Sequence, residues 1–586
     1  MVPCPAVAPP SLPFPVPGLT RMQAAAAAAL LVVVALLVGQ GRVSYAQTSD
    51  PFGTLLVSQA LVRHGTIHLE RLDVPDLGGR LAYRGFVRNG HTYYVYPLGT
   101  ALAATPFVVL ADAFGVDLAR HEAEVRLQHW IATLAAIVLV ALLLRLARRL
   151  LPFWPALTCT AAFWAGTTLS STGGTALWSH IVAAIVALAA IDAVVAAELE
   201  HRPVAWLPLG TLLFVGYLTR PTAALLAALL LLWVAQRDRA GALKSACVAG
   251  GLMVAFVAFS WQEFGELVPP YYRLGLEGGA FSAEALAGLL VSPSRGLLVF
   301  SPVLLGVWTA LPLAQREWPL ARGWWLVGLA WPVLLILALA RWTMWWGGGC
   351  YGPRLLTDVL PGLFLLTLRA WPVRWPNGAT WASVGVLAVA VMGSTYVHVA
   401  QGLYNPWTLR WNAEPSVDTE PWMRWAWRFP QFLHGAAQHR ARLVAYYARQ
   451  QPGSTTTPVR SGDVLEPASP HFEDLGFDRM RPTGRWTVLP VAELLFTRAD
   501  RADVMRTLVI TVGTNGRQAL RLELNQAVLF DATVDDADAT LRVPVPRSAW
   551  MDGVNRLRFV LPDTRRMRRG DAREYGIVVR TLRFEP

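Results

Sequence analysis

The chain has 586 residues, of which 54% are hydrophobic and 15% charged, against roughly a quarter charged in ordinary soluble proteins. Its formal net charge is +12, from 51 basic and 39 acidic residues. These values exclude a disordered chain, a coiled coil and a single soluble domain. Lys244 is the only lysine, and no dense basic run carries interleaved aromatics, so nucleic-acid binding is excluded too. The run Arg565, Arg566, Arg568 and Arg569 follows Pro562 and reads as a solvated loop. Cys4, Cys159, Cys247 and Cys350 have neither a disulfide framework nor zinc or haem spacing, and Cys159 and Cys247 read as small core residues.

Residues 1–21 are a Pro-rich leader expected to be disordered. Residues 22–400 carry long apolar blocks and read as a multi-pass helical membrane domain. The block 22–40 is the first span, or alternatively a signal peptide cut near Ser44-Tyr45-Ala46. Residues 41–126 form the first extracytoplasmic loop, within which 97–114, interrupted by Pro106, reads as an interfacial or re-entrant helix. The later blocks are 127–144, 151–168, 177–197, 207–218, 222–235, 246–260, 297–313, 324–340, 355–368 and 379–398. Arginines at alternate ends, among them Arg145, Arg148 and Arg149, orient about eleven spans with the N-terminus inside and the C-terminus outside. This places the unusual polar segments and the last third of the chain on one outer face. The spans themselves are Ala, Leu and Val almost throughout, which disfavours a transporter.

Asp50, in QTSDPFG, is placed to act as a base, to hold a cation, or to cap the following helix with Pro51 at N1. Arg220, in LTRPTA, meets an anion such as a lipid phosphate, or snorkels. WQEFGELVPPYYRLG carries Glu263, Glu266, Tyr271, Tyr272 and Arg273, either as a helix-face carboxylate pair with sugar-stacking tyrosines or as an aromatic belt. SPSRGLLVFSP offers Arg295 and backbone N–H groups to a phosphate, or is an ordinary cap. RWTMWWGGGCYGPRLLTDVLP combines Trp345, Trp346, three glycines, Tyr351, Arg354 and Asp358. Here the glycines permit close approach to a ligand, the tryptophans suit sugar stacking, and Arg354 and Asp358 have the spacing of a helical pair. His180 opens a span and reads as a helix-end histidine satisfied by backbone.

Residues 401–470 read as interfacial helices and a linker, with an amphipathic helix over 421–450 followed by a Gly/Ser/Thr/Pro-rich stretch at 451–458. Period-two segments then follow in residues 471–586, namely TLVITV, ALRLEL, AVLFDA, TLRVPV, RLRFVL and YGIVVRTLRF. Turn signals separate them, as in Thr514-Asn515-Gly516, and they predict a β-sandwich. LELNQAVLFDATV and GVNRLRFVLP resemble jelly-roll modules of the galactose-binding type.

The first span, the Asp50 loop, the Y-x-Y-P-L-G-T segment and LTRPT together resemble the GT-C glycosyltransferases, which include the protein O-mannosyltransferases and lipid A aminoarabinose transferases. SPSRGLLVFSP and WWGGGCYGPRLLTDVLP resemble a bacterial branch grouped with them. The resemblance covers residues 22–400. It implies a polyprenyl-phosphate sugar as donor, an extracytoplasmic glycan, lipid or protein acceptor, and a bacterial inner-membrane location. Asp50 matches the position of the class's acidic base or acceptor anchor. Arg220, Arg295 and Arg354 are then the candidates for holding the donor phosphate. Glu263, Tyr271, Trp345, Trp346, Tyr351 and Asp358 are the candidates for binding substrate. No metal ligand is assigned. Pro51 stands where the mannosyltransferases carry a second acid, and a divalent metal is left open. The rival expectations are a multi-pass transporter and a non-catalytic envelope protein that binds carbohydrate.

Overall fold

The structure is a computed structural model that describes residues 18–586 apart from 47, 275–278, 316, 379, 414, 450–456, 478–483, 489–490, 515 and 565–574. Most of the leader, the arginine run, Asn515 of the expected turn and most of the Gly/Ser/Thr/Pro stretch therefore lie outside the described residues. The chain forms two compact units, 1–434 and 435–586.

The first unit is helical. Among the described residues, five helices are long and apolar enough to cross a membrane: Arg21–Gly39, His121–Leu150, Ser179–Leu199, Arg239–Phe264 and Thr380–Gln401. Leu98–Ala113, Trp206–Thr219, Ala223–Ala235 and Trp324–Leu339 are shorter apolar helices. Arg21–Gly39 starts cleanly because Thr20 and Gln23 form a reciprocal capping box. The first loop contains the helix Thr54–His64, a hairpin of Gly85–Arg88 with His91–Tyr94, and the helix Leu98–Ala113 where the interfacial segment was expected.

Several expected spans are not single α-helices. The block 297–313 breaks into Leu297–Phe300, Val303–Thr309 and Leu311–Leu313, with Pro302 and Pro312 at the breaks. The block 324–340 begins as a π-helix, Trp324–Ala330, and continues as Trp331–Leu339. Before the helix Leu360–Ala370 lies a 3₁₀ turn, Arg354–Val359. Cys247, expected in the core, is exposed, whereas Cys159 and Cys350 are buried. Asp192 is paired to Arg149 at 2.6 Å and to Arg145 at 2.9 Å, which ties the arginine cluster to the neighbouring helix.

The expected helix over 421–450 is replaced by short 3₁₀ turns, Pro421–Trp425 and Gln431–Leu433, and a helix only at Ala436–Arg449. Residues 407–434 fold into the helical unit. Trp411 there is fully buried and donates its indole N–H to the Phe429 carbonyl at 2.8 Å.

The described residues of the second unit form two antiparallel sheets. One orders Glu473–Leu475, Val491–Thr497, Val554–Val560, Gln518–Leu524 and Ala527–Val534. The other orders Arg485–Trp486, Ile577–Glu585, Thr507–Thr514 and Ala539–Pro544. Leu494, Ile510, Leu522, Phe559 and Phe584 from both sheets meet in one core. The alternation read from the sequence is the cause, since residues two apart share a face. All six period-two segments are strands.

Candidate functional site

The site is assembled from helix ends and loops. Asp50 follows the first long helix. Ser179 and His180 open the helix Ser179–Leu199, Arg220 ends Trp206–Thr219, and Arg354 and Asp358 lie on the 3₁₀ turn before Leu360–Ala370. Helix ends leave polar side chains free of apolar packing, so chemistry can collect there without charges in mid-span.

Asp50 does not cap the helix that follows it. That helix starts at Thr54 with Gly53 at its N-cap, in a left-handed conformation (φ 96°) that favours glycine. The fully buried Glu124 accepts the Gly53 N–H at 2.8 Å and is paired to Arg80 at 2.7 Å. Gln128 donates to the Pro51 carbonyl at 2.9 Å, and Arg84 donates to the Ser49 carbonyl at 2.8 Å. The Tyr94 hydroxyl donates to the Asp50 carbonyl. The backbone on both sides of Asp50 is thus clamped, leaving its side chain free for other work.

That side chain pairs with Arg354, whose Nη1 donates to Asp50 Oδ2. Tyr96 donates to Asp50 Oδ1 at 2.6 Å, and Tyr83 to the same oxygen at 3.3 Å. Burial pushes the Asp50 carboxyl up, but the Arg354 charge and the Tyr96 hydrogen bond outweigh it and hold the group below the usual carboxylate value. Conversely, burial and the neighbouring carboxylate push the Tyr96 phenol far up, so it stays protonated and donating. The Asp50 side chain keeps 23% of its surface accessible, which leaves a route for a substrate.

Arg354 lies over the Trp178 ring at 4.2 Å and donates from Nη2 to the Gly347 carbonyl at 2.7 Å. Its Nε is buried without a partner among the described residues. Next to this pair Asp358 accepts three bonds, from His180 Nδ1 at 2.7 Å, Arg220 Nε at 2.7 Å and Thr222 at 2.9 Å. Arg220 Nη1 also donates to Ser179 at 2.9 Å. With Nδ1 donating, the neutral His180 ring carries its lone pair on Nε2. The Trp178 ring over which Arg354 lies also neighbours the His180 ring, with centroids 6.4 Å apart.

The structure therefore gathers Asp50, Arg220, Arg354 and Asp358 into one neighbourhood, and Tyr271 joins them through Tyr96, with ring centroids 5.4 Å apart. It redistributes the other candidates. Arg354 and Asp358 do not pair as their helical spacing suggested, because each has a stronger partner elsewhere in the chain. Asp358 is saturated by three protein donors and acts as a positioning group. Arg295 is 1% exposed, and all five of its N–H donors are satisfied by Trp346 O, Ser294 O, Gly348 O, Gln431 and Asn412. It has no donor left for a phosphate.

Trp345 is buried against Gly288, where a Cβ would lie 2.2 Å from its ring. Trp346 is bonded through its indole N–H to Asp418 at 2.7 Å and covered by Arg424. Tyr351 is 2% exposed and donates to the Val397 carbonyl at 2.6 Å. These three aromatics are packing groups, not open sugar platforms. Gly347 (φ 72°) and Gly348 (φ 68°) serve the turn of the loop itself. Glu263 faces His68 and Tyr93 instead of Asp50, and Glu266 pairs with Arg88 at 2.5 Å and Arg273 at 3.1 Å.

Sequence reasoning read His180 as satisfied by backbone, whereas its Nδ1 is bonded to the Asp358 carboxylate, and it assigned no role to Tyr96, Glu124 or Gln128. A signal existed for three of them. Tyr96 lies in the Y-x-Y-P motif, and Glu124 and Gln128 are two polar residues one helical turn apart at the start of a span. The partner of His180 is 178 residues away, and nothing local marks it.

No family model and no curated protein matches the chain. Among solved structures, a family two carbohydrate esterase from Clostridium thermocellum in complex with cellohexaose matches at 14% identity over 21% of this chain and 31% of that one, with a TM-score of 0.14. The chain thus spans about a third of that esterase's length. Arabinosyltransferase EmbB from Mycobacterium smegmatis matches at 14% identity over 95% of this chain and 64% of that one, with a TM-score of 0.36. ArnT from Cupriavidus metallidurans, bound to undecaprenyl phosphate, matches at 14% identity over 76% and 84%, with a TM-score of 0.42.

Proposed function

We propose that the chain is a membrane glycosyltransferase that moves a sugar from a polyprenyl-phosphate donor to an acceptor on the outer side of a bacterial inner membrane. The observation that supports this best is the Asp50–Arg354 pair in a partly open site at the helix ends. Transfer from a lipid phosphate needs a cation for the leaving anion and a base for the acceptor hydroxyl, within reach of one another. Here the two neutralise each other until a substrate arrives.

In this reading the donor phosphate takes the Arg354 guanidinium, helped by Arg220. Asp50 loses its counter-charge and becomes more basic. It accepts the proton of the acceptor hydroxyl as that oxygen bonds to the anomeric carbon. The bond from that carbon to the phosphate oxygen breaks, and polyprenyl phosphate leaves with the electron pair. Tyr96 orients Asp50, His180 and Asp358 position Arg220, and Tyr271 supplies an aromatic face for the sugar. About eleven spans, several of them bent or short, carry this site. The second unit is a galactose-binding-type jelly roll on the outer side that can hold the glycan.

The test is transfer by purified protein in lipid from a panel of polyprenyl-phosphate sugars, with comparison of envelope glycans from cells with and without the gene. Wild-type transfer that is lost in folded Asp50→Asn supports the reading. Unchanged transfer in that variant removes Asp50 as base, and no transfer from any donor by the wild type removes the enzyme.

A further inference from the structure

A second cluster of chemistry-bearing groups lies in the first loop, on partners separate from the Asp50–Arg354 pair. His68 precedes the turn Leu69–Arg71, which carries Glu70, and His91 opens the second strand of the hairpin. One ligand atom from each of the three lies within 4.8 Å of the others. The two imidazoles stack with centroids 3.8 Å apart and planes 12° apart. A tetrahedral ion with bonds of about 2.0–2.1 Å sets its ligand atoms ~3.3 Å apart, so a small closure completes the set.

The hydrogen bonds fix the tautomer of His68. Glu263, in the last turn of the helix Arg239–Phe264, sits with Oε2 2.8 Å from His68 Nε2, and also accepts from the Tyr93 hydroxyl at 3.1 Å. A carboxylate only accepts, so Nε2 carries the proton and Nδ1 carries the lone pair. That Nδ1 is buried and has no partner among the described residues, on a residue that is 8% exposed. An unpaired buried acceptor is costly, and a metal ion relieves it. A carboxylate behind the far nitrogen of a ligating histidine is the arrangement that fixes ring orientation and raises ligand basicity.

The other two groups complete the site. His91 Nδ1 donates to Glu70 Oε1 at 2.7 Å, a proton that a bound ion displaces, and Glu70 Oε2 accepts the Thr92 N–H at 2.8 Å. Their side chains are 38% and 34% exposed, which gives an ion a way in.

We propose that His68, Glu70 and His91 bind a divalent transition-metal ion of the zinc type, with Glu263 orienting His68. Two imidazoles and one carboxylate suit that ion and leave one position for water. The ion ties the loop turn to the hairpin whose Tyr94 donates to the Asp50 carbonyl. It is a fastening of the outer loop and does not depend on the transfer reading.

The test is zinc titration of the full-length purified protein after EDTA treatment. About one zinc per chain is expected at micromolar concentration or below, with a rise in melting temperature on zinc addition. His91→Gln and His68→Gln should each weaken zinc binding by at least tenfold. Glu263→Gln should weaken it roughly 10-fold, as removal of a supporting carboxylate does, while Glu266→Gln should leave it unchanged. Because His91 is partly exposed, its variant tests the site even if the His68 variant fails to fold. Stripped wild-type protein that takes up no zinc at 100 µM overturns the proposal, as does full uptake by His91→Gln.

Discussion

Arg295 and Arg354 are both buried arginines that grip the same glycine-rich loop, yet they do different work. Arg295 gives every donor to neutral acceptors and binds Trp346 and Gly348 to Asn412 and Gln431. Arg354 gives one donor to Gly347, one to a carboxylate, and leaves Nε without a partner among the described residues. The first is a clip with no free valence. The second is a cation whose main partner another anion can replace. Burial and residue type do not separate the two; only the inventory of donors does.

The comparison breaks most visibly at the pair's acidic member. Asp50→Asn should lower transfer by about 10²–10⁴-fold with the protein still folded, as loss of a positioned base does. A variant transferring within twofold of wild type would remove the distinction. Arg295→Ala should instead act on stability. It leaves several buried acceptors unsatisfied, at about 1–3 kcal/mol each, and denaturation in detergent should show at least ~3 kcal/mol lost. Arg354→Lys keeps the charge but not the fork, so the donor KM should rise about tenfold, or ~1.4 kcal/mol, without loss of fold.

A pH profile sharpens the same point. Asp50 is held below its ordinary value in the free protein. Its ion pair therefore contributes stability that is present above the unfolded carboxylate value of about 3.9 and is lost as pH falls through the lower folded value. The acid limb of kcat/KM, which reports the free protein, should lie below the ordinary carboxylate range. The limb of kcat should lie higher, because bound phosphate has drawn Arg354 away. Coincident limbs would show that Arg354 stays with Asp50 throughout. The smallest effect is expected at Glu266, whose pairs with Arg88 and Arg273 are partly exposed. Glu266→Gln should change stability by less than about 1 kcal/mol, and a larger loss would make that pair part of the loop's core.

Much of this molecule could be read from local pattern. Apolar runs of span length marked the helical unit, and period-two runs marked the strands from Thr507 onward. Asp50 could be selected because it directly follows the first span. The same local evidence misled at Trp345, Trp346 and Tyr351, since aromatics near glycines look alike whether they face a sugar or a packed core. It also misled over 297–313, where composition is mostly apolar but Pro302 and Pro312 divide the helix.

The sequence by itself determined what kind of solvent each segment needs and which period its backbone follows. Both depend on side chains within a turn or a strand of one another. Partner choice was decided only in the tertiary structure. Asp50 meets Arg354 across 304 residues, Asp358 meets Arg220 across 138, and Arg295 meets Asn412 across 117. A charged group taken out of water must find its complement wherever packing places one, and no local spacing records that place.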